Sequence, residues 1–264
     1  MTTPDGDHGL PSRLRVCVDD ASGHPALDTA ISRVLLERVD RGELPATLRL
    51  SRPSAIVAFS SRDARTQGFD AAVAATEVAG FAPVLRLAGG RPAVFTPSTI
   101  AFSWSVPTPE PSRGITGRFT LLADRLAAAF RSLGVDARVG EVEGEYCPGE
   151  YSVNAGGRQK VAGVGQRLLR SAAHTGGVVV VDGAADINRV LVPVYAAMGL
   201  RFDPAATGAL TDHGAVGFEQ VRQAIVTAFG DRFEVEPWTL DERTLALARR
   251  AASEHLVASA AAAS

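Results

Sequence analysis

The 264-residue sequence predicts an α+β fold of mixed or antiparallel sheets flanked by helices. Two patterns lead there. Short alternating apolar runs recur along the chain, and a few longer segments carry helical spacing, but the two kinds do not alternate as regular βαβ units. A content of 46% hydrophobic and 21% charged residues supports a sizeable buried core.

Arg13–Asp19, RLRVCVD, alternates as a strand, with Val16 and Val18 on one face and Cys17 on the other. Leu27–Val39 has helical spacing through Leu27, Ile31, Val34, Leu35 and Val39, and Gly42 and Pro45 end it. Thr47–Leu50 and Ala55–Phe59 read as strands, Phe69–Val78 as a helix, and Pro83–Leu87, Ala93–Thr96 and Ile100–Val106 as further strands. The Pro-rich stretch Pro107 to Gly117 is a loop. An amphipathic helix over Phe119–Leu133 then stops at Gly134. Tyr151–Asn154, Lys160–Arg167 and Gly177–Val181 read as strands, and Asp186–Met198, Val216–Phe229 and Asp241–Val257 as helices. This organises the chain as a disordered segment over 1–12, a main body over 13–214 and a short helical extension over 215–264.

A formal net charge of −2 gives no field for gathering nucleic acid or an anionic membrane. No apolar run approaches the roughly 20 residues that span a bilayer. The start, MTTPDGDHGLPS, lacks the basic and apolar regions of a signal peptide. Two cysteines, Cys17 and Cys147, are too few for a disulfide framework, so the expectation is a cytoplasmic protein with free thiols. His8, His24, His174, His213 and His255 are scattered without metal-ligand spacing, and no metal site is expected.

Lys160 is the chain's single lysine, among 27 Lys and Arg together. A compact ammonium with three donors is retained where every other cation is a planar guanidinium. It heads Lys160-Val161-Ala162-Gly163-Val164-Gly165, a strand whose glycines let backbone approach a substrate, or equally a neighbouring element. Such an ammonium stabilises negative charge on a reacting carbonyl oxygen, unless it snorkels to solvent. In Leu85 to Val106, Gly89-Gly90 forms a tight bend flanked by Arg86 and Arg91, either a polar-group cradle or a plain hairpin. Cys147 lies in a Pro-Gly turn, where a thiol acts as nucleophile if a cation faces it. Glu145 and Glu150 oppose that, and Lys160 is the expected positive partner. Cys17 reads as a core residue. His174, before Thr175-Gly176-Gly177, is placed to line the same cleft.

Arg86-x-x-Gly89-Gly90-Arg91, and Lys160-Val161-Ala162-Gly163 with Gln166, resemble the marks of the lipoate–protein ligase and octanoyltransferase family, within the biotin/lipoate ligase superfamily. The resemblance runs from about Arg13 to the last helix. It implies that family's catalytic-domain fold and attachment of an octanoyl or lipoyl group to a lysine of a carrier domain. It places Lys160 at the acyl carbonyl and Cys147 as candidate nucleophile. Arg86, Gly89, Gly90, Arg91, Ala162, Gly163, Gln166 and His174 become candidate substrate contacts. Implied partners are lipoyl domains of 2-oxoacid dehydrogenase complexes or the glycine cleavage carrier protein, with acyl carrier protein as donor. A transferase needs no cofactor, whereas a ligase uses ATP and Mg²⁺ to form an acyl-adenylate.

Arg91 in place of a third glycine, Cys147 ahead of Pro148-x-x-Tyr151, and the short stretch after residue 214 favour the transferase. Thr96-Pro97 replaces the family's His-Asp, Pro92 stiffens the turn, and Cys147 stands nearer its proline than in one transferase branch. These departures leave a non-catalytic acyl- or partner-binding member as the contrasting expectation.

Overall fold

A computed structural model describes residues 10–20 and 23–257; most of the segment expected to be disordered lies outside the described residues. The strands are β1 (Arg13–Asp19), β2 (Thr47–Ser51), β3 (Ile56–Phe59), β4 (Ala82–Leu85), β5 (Ala93–Phe95), β6 (Thr99–Pro107), β7 (Ala137–Val139), β8 (Val153–Ala155), β9 (Gln159–Leu168), β10 (Ala172–Val180) and β11 (Glu234–Pro237). The helices are α1 (Leu27–Asp40), α2 (Phe69–Val78), α3 (Ile115–Ser132), α4 (Ala184–Ala197), α5 (Phe218–Gly230) and α6 (Glu242–Ala251). An eight-stranded mixed sheet runs β11-β1-β2-β6-β10-β9-β8-β7, and a three-stranded sheet runs β4-β3-β5.

Apolar stripes decide which faces are covered. Leu48, Phe102, Trp104 and Val179 on one face of the large sheet meet Leu122, Leu126 and Phe130 of α3. Alongside α3, α5 brings Phe229 edge-on to Trp104 at 6.1 Å between ring centres. Val57 and Phe59 of the small sheet pack with Ile187, Val190 and Val194 of α4. A third core joins Ile31 and Leu35 of α1 to Ala248 of α6. In β1 the buried stripe is Leu14 and Val16, while Val18 is 44% exposed, so the expected Val16/Val18 face ends at Val16.

Two strands escaped the sequence reading. β7 is ARV and β11 is EVEP, both short and largely exposed. β11 pairs in parallel with β1, so the segment expected as a helical extension also supplies an edge of the main sheet. β10 begins at Ala172 rather than Gly177, because Ala172–Gly176 is paired along β6. Tertiary pairing there overrides the weak strand propensity of AAHTGG.

The centre of the large sheet loses its side chains toward β10 and β9. Arg49, Ser103, Gly176 and Gly165 lie opposite one another across β2, β6, β10 and β9. A Cβ on Gly165 would stand 2.8 Å from the Ala88 Cβ, so this row passes beneath the glycine bend. At Gly177 a Cβ would meet the Gly163 carbonyl oxygen at 1.9 Å, with backbone on both sides of the clash. Gly177→Ala is therefore expected to destabilise the chain by about 3 kcal/mol, the upper end of overpacking costs. In a thermal melt this appears as a fall in Tm of roughly 6–12 °C.

Candidate active site

Between the two sheets lies a cavity of about 520 Å³, within the size range of small-molecule pockets. Ala101, Ser103, Gly163, Gly165, Gly176 and Val178 of the large sheet line one side, and Ile56, Ala58, Ala93 and Phe95 of the small sheet the other. Phe119 and Tyr151, stacked at 4.9 Å, border it beside Ile115. Arg86 to Gly90, Cys147 and Lys160 also line it.

Lys160 is 2% exposed. Its Nζ donates to Glu145 Oε1 at 3.0 Å, to the Tyr146 carbonyl at 3.0 Å and to the Cys147 carbonyl at 2.7 Å. An ammonium has three N–H donors, and each has an acceptor. Nζ also stands 4.9 Å from the Tyr146 ring centre. Glu145, 3% exposed, accepts further bonds from Gly149 N at 3.1 Å, Ser152 Oγ at 2.6 Å and Val142 N at 3.0 Å. A buried ion pair tolerates its desolvation only when the remaining lone pairs are also used, and here they are. Gly163 makes room: a Cβ there would stand 3.2 Å from Lys160 Cε. Glu145, read from sequence as a group opposing the thiol, is the lysine's ion-pair partner.

β9 is bulged against β8. Val153 pairs Ala162 and Asn154 pairs Lys160, leaving Val161 as the extra residue. The shift in phase turns both Lys160 and Gly163 to the cavity. Ala162, expected to touch substrate, is fully buried in the core against α3 and does not line the cavity.

Cys147 has φ +45°, the only non-glycine with positive φ among the described residues. Such a conformation persists where surrounding contacts over-determine it. Its N–H donates to Tyr195 Oη at 2.9 Å, and its carbonyl accepts from Lys160. Its Sγ faces the Arg91 N–H at 3.1 Å and Arg86 Nη2 at 3.8 Å. The cation at the sulfur is thus Arg86, whereas Lys160, expected in that place, binds the cysteine's backbone. Arg86 Nη2 also donates to the Arg91 carbonyl at 2.7 Å, closing the bend. Gly90, at φ +104°, admits no side chain, since a Cβ would stand 2.8 Å from Cys147 Sγ.

The Arg91 guanidinium does not line the cavity; it pairs at 3.3 Å with Asp63, which is fully buried. Asp63 in turn accepts from Ser60 N at 2.9 Å and Ser60 Oγ at 2.8 Å. Gln166 lines the cavity while accepting from Arg118 Nη2 at 2.9 Å and donating to the Ile115 carbonyl at 3.3 Å, which fixes the start of α3. His174 is 5% exposed and lines the cavity above Gly176, with Nδ1 3.2 Å from Ser103 Oγ. Burial lowers its pKa to about 4. Gly89 lines the cavity in the bend itself. Thr96 is buried in a local turn, its N–H bonding Thr99 Oγ1 at 3.1 Å.

Sequence reasoning missed Tyr195 and Asp63, which sit in a helix and a short helical turn without any motif. Among the described residues, no group of three or more His, Cys, Asp or Glu is placed to hold a metal ion. No helix among the described residues is long and apolar enough to cross a membrane.

Residues 24–230 match the family model described as the lipoyl protein ligase A/B catalytic domain. An octanoyl-[GcvH]:protein N-octanoyltransferase from Geobacillus kaustophilus is 25% identical over 186 residues, covering 69% of this chain and 65% of its own. One of the same name from Exiguobacterium sibiricum is 30% identical over 55% of this chain and 52% of its own. A lipoyl-[GcvH]:protein N-lipoyltransferase from Listeria monocytogenes is 26% identical, covering 63% and 61%. The chain thus spans less than two thirds of the length of these curated relatives. A T. acidophilum protein solved with bound lipoic acid superposes with a TM-score of 0.74 at 18% identity, covering 92% and 95% of the two chains. A lipoate-protein ligase A bound with ATP gives 0.72 at 18%, covering 93% and 95%. The mixed sheet with flanking helices is therefore the fold of lipoate-protein ligases.

Two outcomes test the electrostatics. Glu145→Ala strands a buried ammonium and three donors, and is expected to cost about 3–5 kcal/mol in urea unfolding. His174 folds in its neutral form, so the unfolded chain binds more protons between the ordinary 6.5 and about 4. Stability should fall as pH drops through that window, by up to about 3 kcal/mol. His174→Gln should flatten that part of the stability–pH curve.

Proposed function

Because the chain belongs to the lipoyl protein ligase A/B catalytic-domain family, we propose that it transfers an octanoyl or lipoyl group between carrier-protein lysines through a thioester on Cys147. The observation that carries this reading is the placement of the Cys147 thiol. It lies at the wall of the cavity, on a strained backbone, with Arg91 N–H and Arg86 turned toward the sulfur. Donors so placed stabilise charge on a reacting sulfur and on the oxygen beside it.

In the first half-reaction, the sulfur adds to the acyl carbonyl of an acylated carrier. The carbon–nitrogen bond breaks, the thiol proton leaves with the lysine amine, and an acyl thioester remains on Cys147. In the second, the amine of the acceptor lysine attacks the thioester, the carbon–sulfur bond breaks, and the thiol regains a proton. Arg86 supplies positive charge beside the sulfur, whereas the charge of Lys160 is offset by its pairing with Glu145. Nζ is fully engaged, so direct contact with an oxyanion would require it to exchange one carbonyl acceptor. The small residues lining the cavity leave width for a methylene chain, whose burial is worth about 0.8 kcal/mol per CH₂.

The names of the relatives support an acylated GcvH-type carrier as donor in place of acyl carrier protein, and a second protein as acceptor, for which a lipoyl domain is the candidate. One amide is then exchanged for another, and no nucleotide is consumed. The ATP-dependent reading asks for groups that hold a triphosphate and its cation. The bend's second arginine, the natural phosphate contact, is already paired with buried Asp63.

Wild-type protein incubated with octanoylated GcvH is expected to gain the mass of one octanoyl group on Cys147 and to pass it to a lipoyl domain. Cys147→Ala should form no adduct and lose transfer by on the order of 10³-fold or more. Unchanged transfer by that variant overturns the thioester. Product from free octanoate only with ATP points to the ligase, and an adduct only from octanoyl acyl carrier protein reassigns the donor.

A further inference from the structure

We infer that Tyr195 is a positioning residue for Cys147: its hydroxyl ties the cysteine's backbone to the glycine bend and so sets where the thiol sits. The inference rests on the proposed role of Cys147 as nucleophile. Tyr195 projects from α4 and is 3% exposed, with its ring against Phe202 at 4.9 Å. Its Oη accepts from Cys147 N at 2.9 Å and donates to the Pro92 carbonyl at 3.0 Å. Pro92 follows Arg91, whose N–H faces the sulfur at 3.1 Å. The bonds close a ring: Tyr195 to Pro92, along the chain to Arg91 N–H, across to Sγ, and back through the Cys147 backbone to Tyr195.

The geometry of that ring matters because Cys147 occupies a left-handed conformation that an L-residue with a side chain seldom adopts. Two side chains grip its backbone, Lys160 at the carbonyl and Tyr195 at the N–H. Removing one grip lets φ relax, and relaxation swings Sγ away from the Arg91 N–H and Arg86. Lys160 binds the loop alone, whereas Tyr195 also binds the bend. It therefore links the element carrying the sulfur to the element carrying the sulfur's donors. Burial, with the nearby Cys147 adding to it, holds the phenol far above its ordinary pKa, so it remains the O–H donor that Pro92 requires. Displacements of about 1 Å in such an arrangement cost on the order of 10²-fold in rate.

Tyr195→Phe in the full chain removes the hydroxyl and keeps the ring. Two rates are measured: alkylation of Cys147 by iodoacetamide, located by mass spectrometry, and single-turnover acylation by octanoylated GcvH. Both should drop about tenfold or more, with KM within roughly twofold of wild type. Measurements at low temperature, where circular dichroism shows the variant fully folded, separate positioning from unfolding. Alkylation within roughly twofold of wild type overturns the inference, as does a defect that vanishes in the folded variant. Alkylation does not depend on acyl chemistry. If it slows while wild type transfers no acyl group from any donor, the positioning role stands and the transferase reading falls.

Discussion

The buried pair between Lys160 and Glu145 is the constraint from which the site's shape follows. Each ion costs several kcal/mol to remove from water, and the pair's attraction offsets that only with every hydrogen-bonding position filled. Glu145 draws in Val142 N, Gly149 N and Ser152 Oγ, and Lys160 draws in the carbonyls of residues 146 and 147. The loop around Cys147 is therefore wrapped about one charge pair, and Lys160 holds the carbonyl of its left-handed cysteine. The same demand accounts for the solitary lysine. Three convergent acceptors in a space bounded by Gly163 suit a compact ammonium, and a planar guanidinium cannot address all three from there.

Around Cys147, the polar groups divide their work. Lys160 holds the carbonyl, Tyr195 the N–H, and Arg86 with Arg91 N–H faces the sulfur. The sequence offers Lys160 as the natural cation to face the thiol in space. The cation that reaches Sγ, Arg86, comes from the end of a strand in the other sheet. Such a meeting depends on how two sheets stack, which no local spacing encodes.

Much of the fold was legible where the pattern was strong. RLRVCVD and the helix from Phe69 to Val78 have the bounds that their periodicity gives. ARV and EVEP carry no pattern long enough to read, and they become strands because a neighbouring edge offers partners. The site was legible as motifs and only partly as geometry. Simple alternation along β9 puts Lys160 and Ala162 on one face. The bulge at Val161 breaks that phase, sending Ala162 into the core and bringing Gly163 to the lysine. Arg91 looked like a ligand for substrate because it borders the bend, yet a fully buried Asp63 claims its guanidinium and leaves only its N–H for the thiol.

The departures from the family pattern fall into the same physical account. Thr96 folds into a turn with Thr99, and the Pro97 carbonyl accepts from Arg52 at 2.7 Å, so the positions of the missing His-Asp serve the entry into β6. Pro92 supplies the carbonyl that Tyr195 binds, which gives the stiffened bend a fixed distance from the cysteine. A reaction that exchanges one amide for another has little net driving force to overcome. For the proposed transfer, the site's contribution would be kinetic: a sulfur whose position is predetermined, charge beside it, and a cavity that holds the acyl chain while carriers exchange. Rigidity built from a buried ion pair and a bridging phenol is the kind of organisation such a reaction requires, because none of it has to be reassembled at each turnover.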